Sequence, residues 1–396
     1  MDRYQGLEER FGSAVFQKFP VTIVRGRGAT VWDQEGKEYV DFMAGIGVAI
    51  VGHCNPMVVE AITKQAQKLI TCHGSFYNDS RAEFLERLAR AAPKGLEKAV
   101  LTNSGTETVE AAMKLARRHT GRKKFVSMKG GFHGKTFGAL SATWNKKYRE
   151  PFTPLLDNVD FAEFGDASSL ESLVGEETAA VITEPIQGES GVIVPPADYL
   201  RRAREICDRS GALLIIDEIQ TGLGRTGKMW ASEHSGVVAD IMTVSKGLGG
   251  GVPIGAALST PEIVASLRRG EHTSTFAGNP LSCAAGSAAL EYIEKNDLPA
   301  KAETKGKRMK EQLTRLASEH KIAREARGAG LMLALETRVD ILHPLLDAID
   351  RGVLFAYSGR ETFRFLPPLV IDDSQIAKGL EVLGGVLDVE EKRRLR

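Results

Sequence analysis

From about residue 56 onward, the chain alternates short apolar runs with helical segments, and this alternation restricts its possible folds most. The runs KAVLTN, AAVITEP and ALLIIDE are apolar with several β-branched residues and do not alternate with polar ones. That pattern is typical of strands buried on both faces of a parallel sheet. Helices between such strands predict an α/β layered domain. Upstream, VRGRGATVWDQEGKEYVDF alternates on either side of residues 34–36, which predicts two short antiparallel strands.

The length of 396 residues predicts two domains, at roughly 100–200 residues each. We expect an N-terminal segment (1–45) that packs with a small domain, a large domain (46–290) and a small C-terminal α/β domain (291–396). Within the last of these, GLMLALETR and FRFLPPLVI predict strands, and the chain from residue 374 predicts a terminal helix.

Charge and cysteine content narrow the function classes. The 52 Lys and Arg residues balance 51 Asp and Glu residues, so we expect no nucleic-acid or membrane partner. The four cysteines form no CxxC pair and therefore predict neither a disulfide framework nor a zinc site. No apolar run approaches the ~20 residues that a membrane span needs, and the charged start does not resemble a signal peptide. We expect a cytoplasmic protein without a bound metal.

Two strand ends carry residues that could do chemistry. The run ALLIIDE places Asp217 at the end of a strand, where open α/β sheets bind their ligands. Such an acid could equally cap a helix or bind a metal. Lys246 ends a second apolar run and precedes a glycine-rich loop. Partial burial would lower its pKa and expose a neutral amine that forms an imine with an aldehyde, although a single lysine is more often a surface residue.

Two loops could hold the rest of a phosphorylated, planar cofactor. Ser104, Gly105 and Thr106 join a strand to a periodic helix, whose N-terminal N–H groups and dipole favour an anion; a plain N-cap is the alternative. Phe132 and His133 lie in a glycine-rich turn, where an aromatic ring could stack on a cofactor or only pack locally. Pyridoxal phosphate (PLP) would use all four features. They are an anion site, an aromatic side chain that stacks on the ring, a carboxylate and a lysine.

At these residues the chain resembles the class III aminotransferases of fold type I, the family of ornithine, acetylornithine and 4-aminobutyrate aminotransferases. The likeness covers nearly the whole chain, through motifs that include NSGTETVEAA, GGFHG, EPIQGESG and FRFLPPL. It implies PLP as the cofactor, 2-oxoglutarate and glutamate as one substrate pair, and a large domain with a mainly parallel sheet between helices beside a smaller α/β domain. It also implies that Lys246 forms the imine with PLP and that Asp217 pairs with the pyridine nitrogen.

The resemblance assigns further cofactor contacts. It implies that Gln220 lies near the phenolic oxygen, that Phe132 stacks on the ring, and that Gly105 and Thr106 hold the phosphate. Thr275 matches a threonine that reaches the phosphate from the partner subunit. A homodimer with shared active sites is therefore implied.

The resemblance also implies which residues bind the substrates. Arg364 matches the arginine that binds the α-carboxylate of glutamate or 2-oxoglutarate, and Glu189 matches the glutamate that pairs with this arginine when the other substrate is bound. Ile46 stands where ornithine aminotransferases have an aromatic residue, and an aliphatic side chain cannot hydrogen-bond a free α-amine. Lys135 replaces an arginine that is usual in FHGR, and a lysine cannot clamp a carboxylate with two parallel bonds. Glu184, before a proline, is interpreted as structural or as a helper near the site.

The stretches GIGVAIVGH, TWNKKYREPF and SKGLGGG resemble archaeal-type enzymes of lysine and arginine synthesis. They favour a lysine or ornithine donor that is joined through its α-amine to an acidic amino-group carrier protein. Acetylornithine is the alternative donor, and free ornithine or 4-aminobutyrate fits less well. Lys146, Lys147 and Arg149 could dock such a carrier or form only a solvated turn. An aminomutase and a noncatalytic PLP-binding regulator are disfavoured by the intact motifs.

Overall fold

The computed structural model describes residues 2–394. In this part of the chain, the strands β1–β15 are Ile23–Arg27, Thr30–Asp33, Glu38–Asp41, Lys98–Thr102, Lys124–Met128, Val159–Ala162, Thr178–Thr183, Leu213–Asp217, Ile241–Val244, Gly255–Ser259, Ala323–Ala329, Met332–Thr337, Val353–Leu354, Ala356–Ser358 and Thr362–Phe365. The helices α1–α14 are Arg3–Phe11, Ala44–Gly47, Pro56–Lys68, Asp79–Ala91, Gly105–Thr120, Phe137–Ala142, Lys146–Arg149, Ala167–Leu173, Tyr199–Ser210, Pro261–Ala265, Pro280–Lys295, Leu298–Glu319, Leu342–Asp350 and Asp373–Arg394.

The central sheet has the strand order β4-β10-β9-β8-β7-β5-β6. Strand β10 runs antiparallel to both of its neighbours, and the remaining pairs are parallel. Strand β8 is buried on both faces, with Leu214 and Ile216 in one apolar core and Ile215 in the other. This arrangement explains why its sequence is an unbroken apolar run, and it confirms the α/β prediction.

The N-terminal segment contains one strand more than its sequence pattern predicted. Strands β2 and β3 form the expected hairpin around residues 34–36, but β1 adds a further antiparallel strand to β2. The predicted stretch includes β1, but the chain reverses at Gly28, which has a φ of 59°, and this turn divides the first predicted strand into β1 and β2. Strand β3 also pairs in parallel with β13, so the N-terminal segment joins the C-terminal part of the chain in one sheet.

An entirely antiparallel sheet, of order β11-β12-β15-β14, lies in the C-terminal part. Strands β12 and β15 and helix α14 occupy the stretches predicted for them. Leu290 lies inside the continuous helix α11, and the chain leaves this helix after Lys295. The division into domains at residue 290 stays a prediction. Among residues 2–394, no helix is both long and apolar enough to span a membrane.

Candidate active site

A cavity of about 300 Å³ contains most of the residues singled out from the sequence. It lies beyond the carboxyl ends of β8 and β9, where parallel sheets form their ligand sites. Its wall includes Gly105, Thr106, Phe132, His133, Lys135, Glu184, Glu189, Asp217, Gln220 and Lys246. A larger cavity of about 580 Å³ lies between the N-terminal segment and residues 349–355, and it contains none of these side chains.

Lys246 follows β9 and contributes its side chain to the cavity wall. Its backbone has a φ of 43°, in the left-handed region that residues other than glycine seldom adopt. Burial lowers the pKa of Lys246, and this effect outweighs the opposing charge of Glu189. The neutral, nucleophilic amine is therefore more accessible than in a surface lysine.

Asp217 ends β8 and is held by two hydrogen bonds. Its Oδ1 accepts from the backbone N–H of Ile219 at 3.0 Å, and its Oδ2 lies 2.7 Å from His133 Nδ1. Burial alone would lower the pKa of His133, but the hydrogen bond and charge of Asp217 raise it. The carboxylate is thus fixed in place and paired with a buried imidazole, a contact that the sequence did not predict.

The N-terminus of helix α5 forms the side of the cavity where an anion was expected. Ser104 caps the helix by accepting from the N–H of Glu107, and Thr106 Oγ1 lies 2.8 Å from Thr136 Oγ1. Glu110, one turn further along α5, accepts from Thr136 Oγ1 at 2.6 Å and from two backbone N–H groups. Sequence reasoning missed Glu110, although its i+4 spacing from Thr106 places both on one helix face.

Glu184 connects the loop that bears Phe132 to the loop that bears Glu189. Its two carboxylate oxygens accept from the N–H groups of Phe132 and Gly188, each at 3.1 Å. Burial and the charge of Asp217 raise the pKa of Glu184 to about 7, against the opposing charge of His133. Glu184, which the sequence marked as structural or as a helper near the site, therefore positions two walls of the cavity.

Arg364, on β15 of the antiparallel sheet, contacts the cavity wall through Glu189. The Arg364 side chain is 2% exposed, and its Nη1 donates to Glu189 Oε1 at 3.0 Å and to the carbonyl of Gly188 at 2.9 Å. Gln220 Nε2 donates to the same Glu189 oxygen at 3.4 Å. Burial would raise the pKa of Glu189, but Arg364 and Lys246 lower it. The structure thus pairs the two residues that the sequence linked to substrate exchange.

Four predicted site residues lie outside this wall: Ser104 and Arg364, described above, and Ile46 and Thr275. Ile46 packs against an apolar cluster that includes Ile186 and Leu366, and its backbone has a φ of 61°. Thr275 is exposed and follows Ser274, which accepts from Asn103 Nδ2 beside the anion site. The roles of Ile46 and Thr275 stay predictions.

The residues of the cavity fit PLP. The amine of Lys246 suits the aldehyde, the buried Asp217 suits a ring nitrogen, and the free N–H groups of α5 suit a phosphate. Gln220 Oε1 is buried and has no hydrogen-bond partner within residues 2–394, so an amide atom remains available to a bound group. In the same described part, no group of three His, Cys, Asp or Glu side chains could hold a metal ion.

A central α/β sheet with a lysine and a carboxylate at adjacent strand ends, facing a phosphate-type helix terminus, defines the fold type I class of PLP-dependent transferases. Within that class the chain belongs to the class III aminotransferases, because residues 12–387 match the family model for aminotransferase class-III. The protein is therefore an aminotransferase that uses PLP, as the sequence predicted.

Similar proteins agree with this assignment. The chain is 46% identical to an acetylornithine aminotransferase of Methanopyrus kandleri over 96% of this chain and 98% of that protein. It is also 46% identical to a LysW-aminoadipate semialdehyde transaminase of Deinococcus radiodurans, over 100% and 92%. A structure of the ornithine aminotransferase from Toxoplasma gondii, which has partial occupancy of PLP at its active site, superposes with a TM-score of 0.95 at 32% identity, covering 99% and 96% of the two chains.

Proposed function

We propose that this aminotransferase moves the distal amino group of an α-amine-blocked lysine or ornithine to 2-oxoglutarate, and that the donor is carried on an acidic amino-group carrier protein. The observation that carries the proposal is the Arg364–Glu189 pair beside Lys246. One cavity must accept a dicarboxylate and an ω-amine in turn. Arg364 suits the carboxylate of the first, while Glu189 neutralises Arg364 for the second.

The relatives support the blocked α-amine. One similar protein is named for LysW-aminoadipate semialdehyde and another for acetylornithine, at equal identity. One name specifies an acetylated ornithine and the other a LysW-linked aminoadipate semialdehyde, so each names a modified substrate rather than a free one. Acetylornithine is therefore the second candidate donor. The proposal includes a cytoplasmic homodimer as the working form.

The residues of this chain divide the chemical work. PLP, when bound, supplies an electron sink for the charge that develops on the amine-bearing carbon. Lys246, with its Nζ free, would take the proton from that carbon as a general base and, as a general acid, would give it to the cofactor carbon that had been bonded to Nζ. Asp217, oriented by His133, supports a protonated ring nitrogen. Ping-pong kinetics follow, because the two substrates use the site in turn.

A carrier would dock on the positive surface beside the cavity. Lys146 and Lys147 are exposed on helix α7, and the charge of Lys135 lies at the cavity wall. Arg149 differs from the expectation, because its guanidinium packs over the ring of Phe161 at 4.6 Å. The two lysines therefore carry the docking proposal, and salt should screen their effect over a Debye length of ~8–10 Å.

The test is a panel of free, acetylated and carrier-linked ω-amines with 2-oxoglutarate, assayed across a salt series. We expect the highest kcat/KM for a carrier-linked donor, with a steeper salt dependence than acetylornithine shows. Lys146→Ala/Lys147→Ala should remove the difference in slope, whereas the matched pair Lys301→Ala/Lys307→Ala, exposed on α12, should not. A preference for acetylornithine would contradict the carrier, and turnover of free ω-amines alone would contradict the blocked α-amine.

A further inference from the structure

We propose that Tyr148 is a positioning residue that seats the ammonium of Lys135 at the cavity wall, and that the seated charge binds the carboxylate of the amine donor. This inference rests on the proposed function, because it assumes a donor whose only free charge near its blocked end is a carboxylate.

Three side chains form a stack beside the cavity. Lys135 Nζ lies 4.4 Å from the centroid of the Tyr148 ring. The edge of the same ring meets Phe132, with centroids 6.1 Å apart and an interplanar angle of 81°. Phe132 and Lys135 both line the cavity, whereas Tyr148 stands behind them. Tyr148 therefore contacts both Phe132, which is expected to stack on the cofactor ring, and Lys135, which is expected to bind the substrate carboxylate.

The backbone on both sides of Tyr148 is anchored. The N–H of Trp144 donates to the carbonyl of Gly131 at 2.9 Å, which ties the segment before α7 to the loop of Phe132. Asn145 caps α7 by accepting from the N–H of Lys147 at 3.0 Å. After Tyr148, Arg149 packs over Phe161. The tyrosine ring is thus held as a fixed platform rather than as a free surface side chain.

The phenol of Tyr148 also lies within electrostatic range of Arg364 and Glu189. Burial raises the pKa of its phenol, and the charges of Glu189 and Arg364 both act on it, in opposite directions. The ring that holds Lys135 is therefore also near the pair to which we assign the carboxylate of the second substrate.

A lysine in this place needs such a seat. A guanidinium has a rigid fork, but an ammonium is a point charge on a flexible four-carbon stem. Ordering that stem costs conformational entropy, and an aromatic face attracts the ammonium and reduces the number of positions it occupies. Lys135 with Tyr148 can thus place a single positive charge where a lone lysine would be disordered.

The experiment separates binding from turnover. The holoenzyme is titrated calorimetrically with N-acetylnorvaline, which keeps the carboxylate and blocked α-amine of acetylornithine but lacks the reacting amine, and with its carboxamide. Tyr148→Leu removes the ring, and Tyr148→Phe keeps the ring without the hydroxyl. Phe152→Leu is the matched control, because Phe152 is an aromatic residue nearby in the chain that packs on Phe137. The absorbance of the bound cofactor verifies that each variant is folded and loaded.

We expect Tyr148→Leu to weaken the carboxylate analogue by roughly threefold to tenfold and to leave the carboxamide unchanged. Tyr148→Phe and Phe152→Leu should bind both analogues as the wild type does. In a Lys135→Ala background, Tyr148→Leu should add no further loss, because Tyr148 acts through that lysine.

Three results would overturn the inference. They are equal binding of the carboxylate by Tyr148→Leu and wild type, a loss in Tyr148→Phe as large as in Tyr148→Leu, and a wild type that does not distinguish the carboxylate from the carboxamide. Each of these results can occur while the enzyme still turns over blocked ω-amines. The proposed function, by contrast, fails only if no blocked ω-amine is a donor, so the two failures can be distinguished.

Discussion

Lys246 and Asp217 meet in one cavity because the strands that precede them, β9 and β8, are parallel neighbours in the sheet. Their surroundings then affect the two side chains differently. Burial lowers the pKa of the amine, whereas the carboxylate is held by His133 and by a backbone N–H. A nucleophile and a fixed anion can thus stand side by side without forming an ion pair with each other.

Lys246→Ala tests the assignment of the nucleophile. We expect loss of turnover, with roughly 10²–10⁴-fold attributable to proton transfer alone, and loss of the visible absorbance of lysine-bound PLP. PLP should still bind through the N-terminus of α5, but it should be removable by dialysis. A variant that kept both its absorbance and its turnover would contradict the role of Lys246.

Arg364→Ala and Glu189→Ala should separate the two half-reactions. Loss of one partner from a buried, hydrogen-bonded charge pair costs about 2–5 kcal/mol. We therefore expect Arg364→Ala to raise the KM for 2-oxoglutarate by roughly 30-fold or more, with a smaller effect on the amine donor. Glu189→Ala should let α-amines react more readily, because Arg364 is then always free. Single-turnover rates of each half-reaction give the measurement, and an effect of Arg364→Ala on the donor alone would refute these roles.

Helix α12 packs closely against the turn that joins β11 and β12. A methyl group on Gly306 would lie 2.0 Å from the carbonyl oxygen of Gly330, whereas one on Gly6 in α1 would have no heavy atom within 4 Å. An alanine would therefore clash with the backbone at position 306 but would have open space at position 6. Local helix propensity favours alanine in both, and only the packing of α12 opposes it.

Gly306→Ala should lower the free energy of unfolding by ~1–3 kcal/mol, the usual cost of overpacking. Gly6→Ala should leave it unchanged or raise it by up to about 1 kcal/mol. Denaturant unfolding of both variants gives the comparison. If Gly306→Ala were as stable as the wild type, α12 would have to move away from Gly330 at little cost.

The cavity of one chain lacks the threonine that the family resemblance assigns to the phosphate. Thr275 is exposed, and the large apolar side chains Phe76, Tyr77 and Phe276 are exposed as well. Such a surface suits burial against a second copy. The proposed homodimer would complete each anion site with Thr275 of the other subunit.

Hybrid dimers test this sharing. A dimer of one Lys246→Ala subunit and one Thr275→Ala subunit should contain one intact site, because the intact lysine and the intact threonine then meet across the interface. We expect this hybrid to retain PLP and turn over more strongly than either parent. If Thr275 served its own subunit, the hybrid would show no site better than those of the Thr275→Ala parent.

Local pattern was enough for the features that depend on neighbouring residues. An apolar run followed by Asp217 or Lys246 marks a strand end, and a capped periodic helix after Ser104 marks a helix N-terminus, because strand burial and helix capping are set within a few residues. The α/β architecture and the PLP class followed from these features. The division of the first predicted strand into β1 and β2 was not predicted, because the alternation did not indicate the chain reversal between Arg27 and Thr30.

Contacts between distant residues were settled only by folding. His133 meets Asp217 across 84 positions, Phe132 meets Glu184 across 52, and Lys135 rests on the ring of Tyr148. Arg149, which the sequence grouped with two surface lysines, packs instead on Phe161. Hydrogen bonds and cation–π contacts need atoms within a few ångströms. Which loops approach that closely depends on how the strands are ordered in the sheet, and no local pattern contains that order.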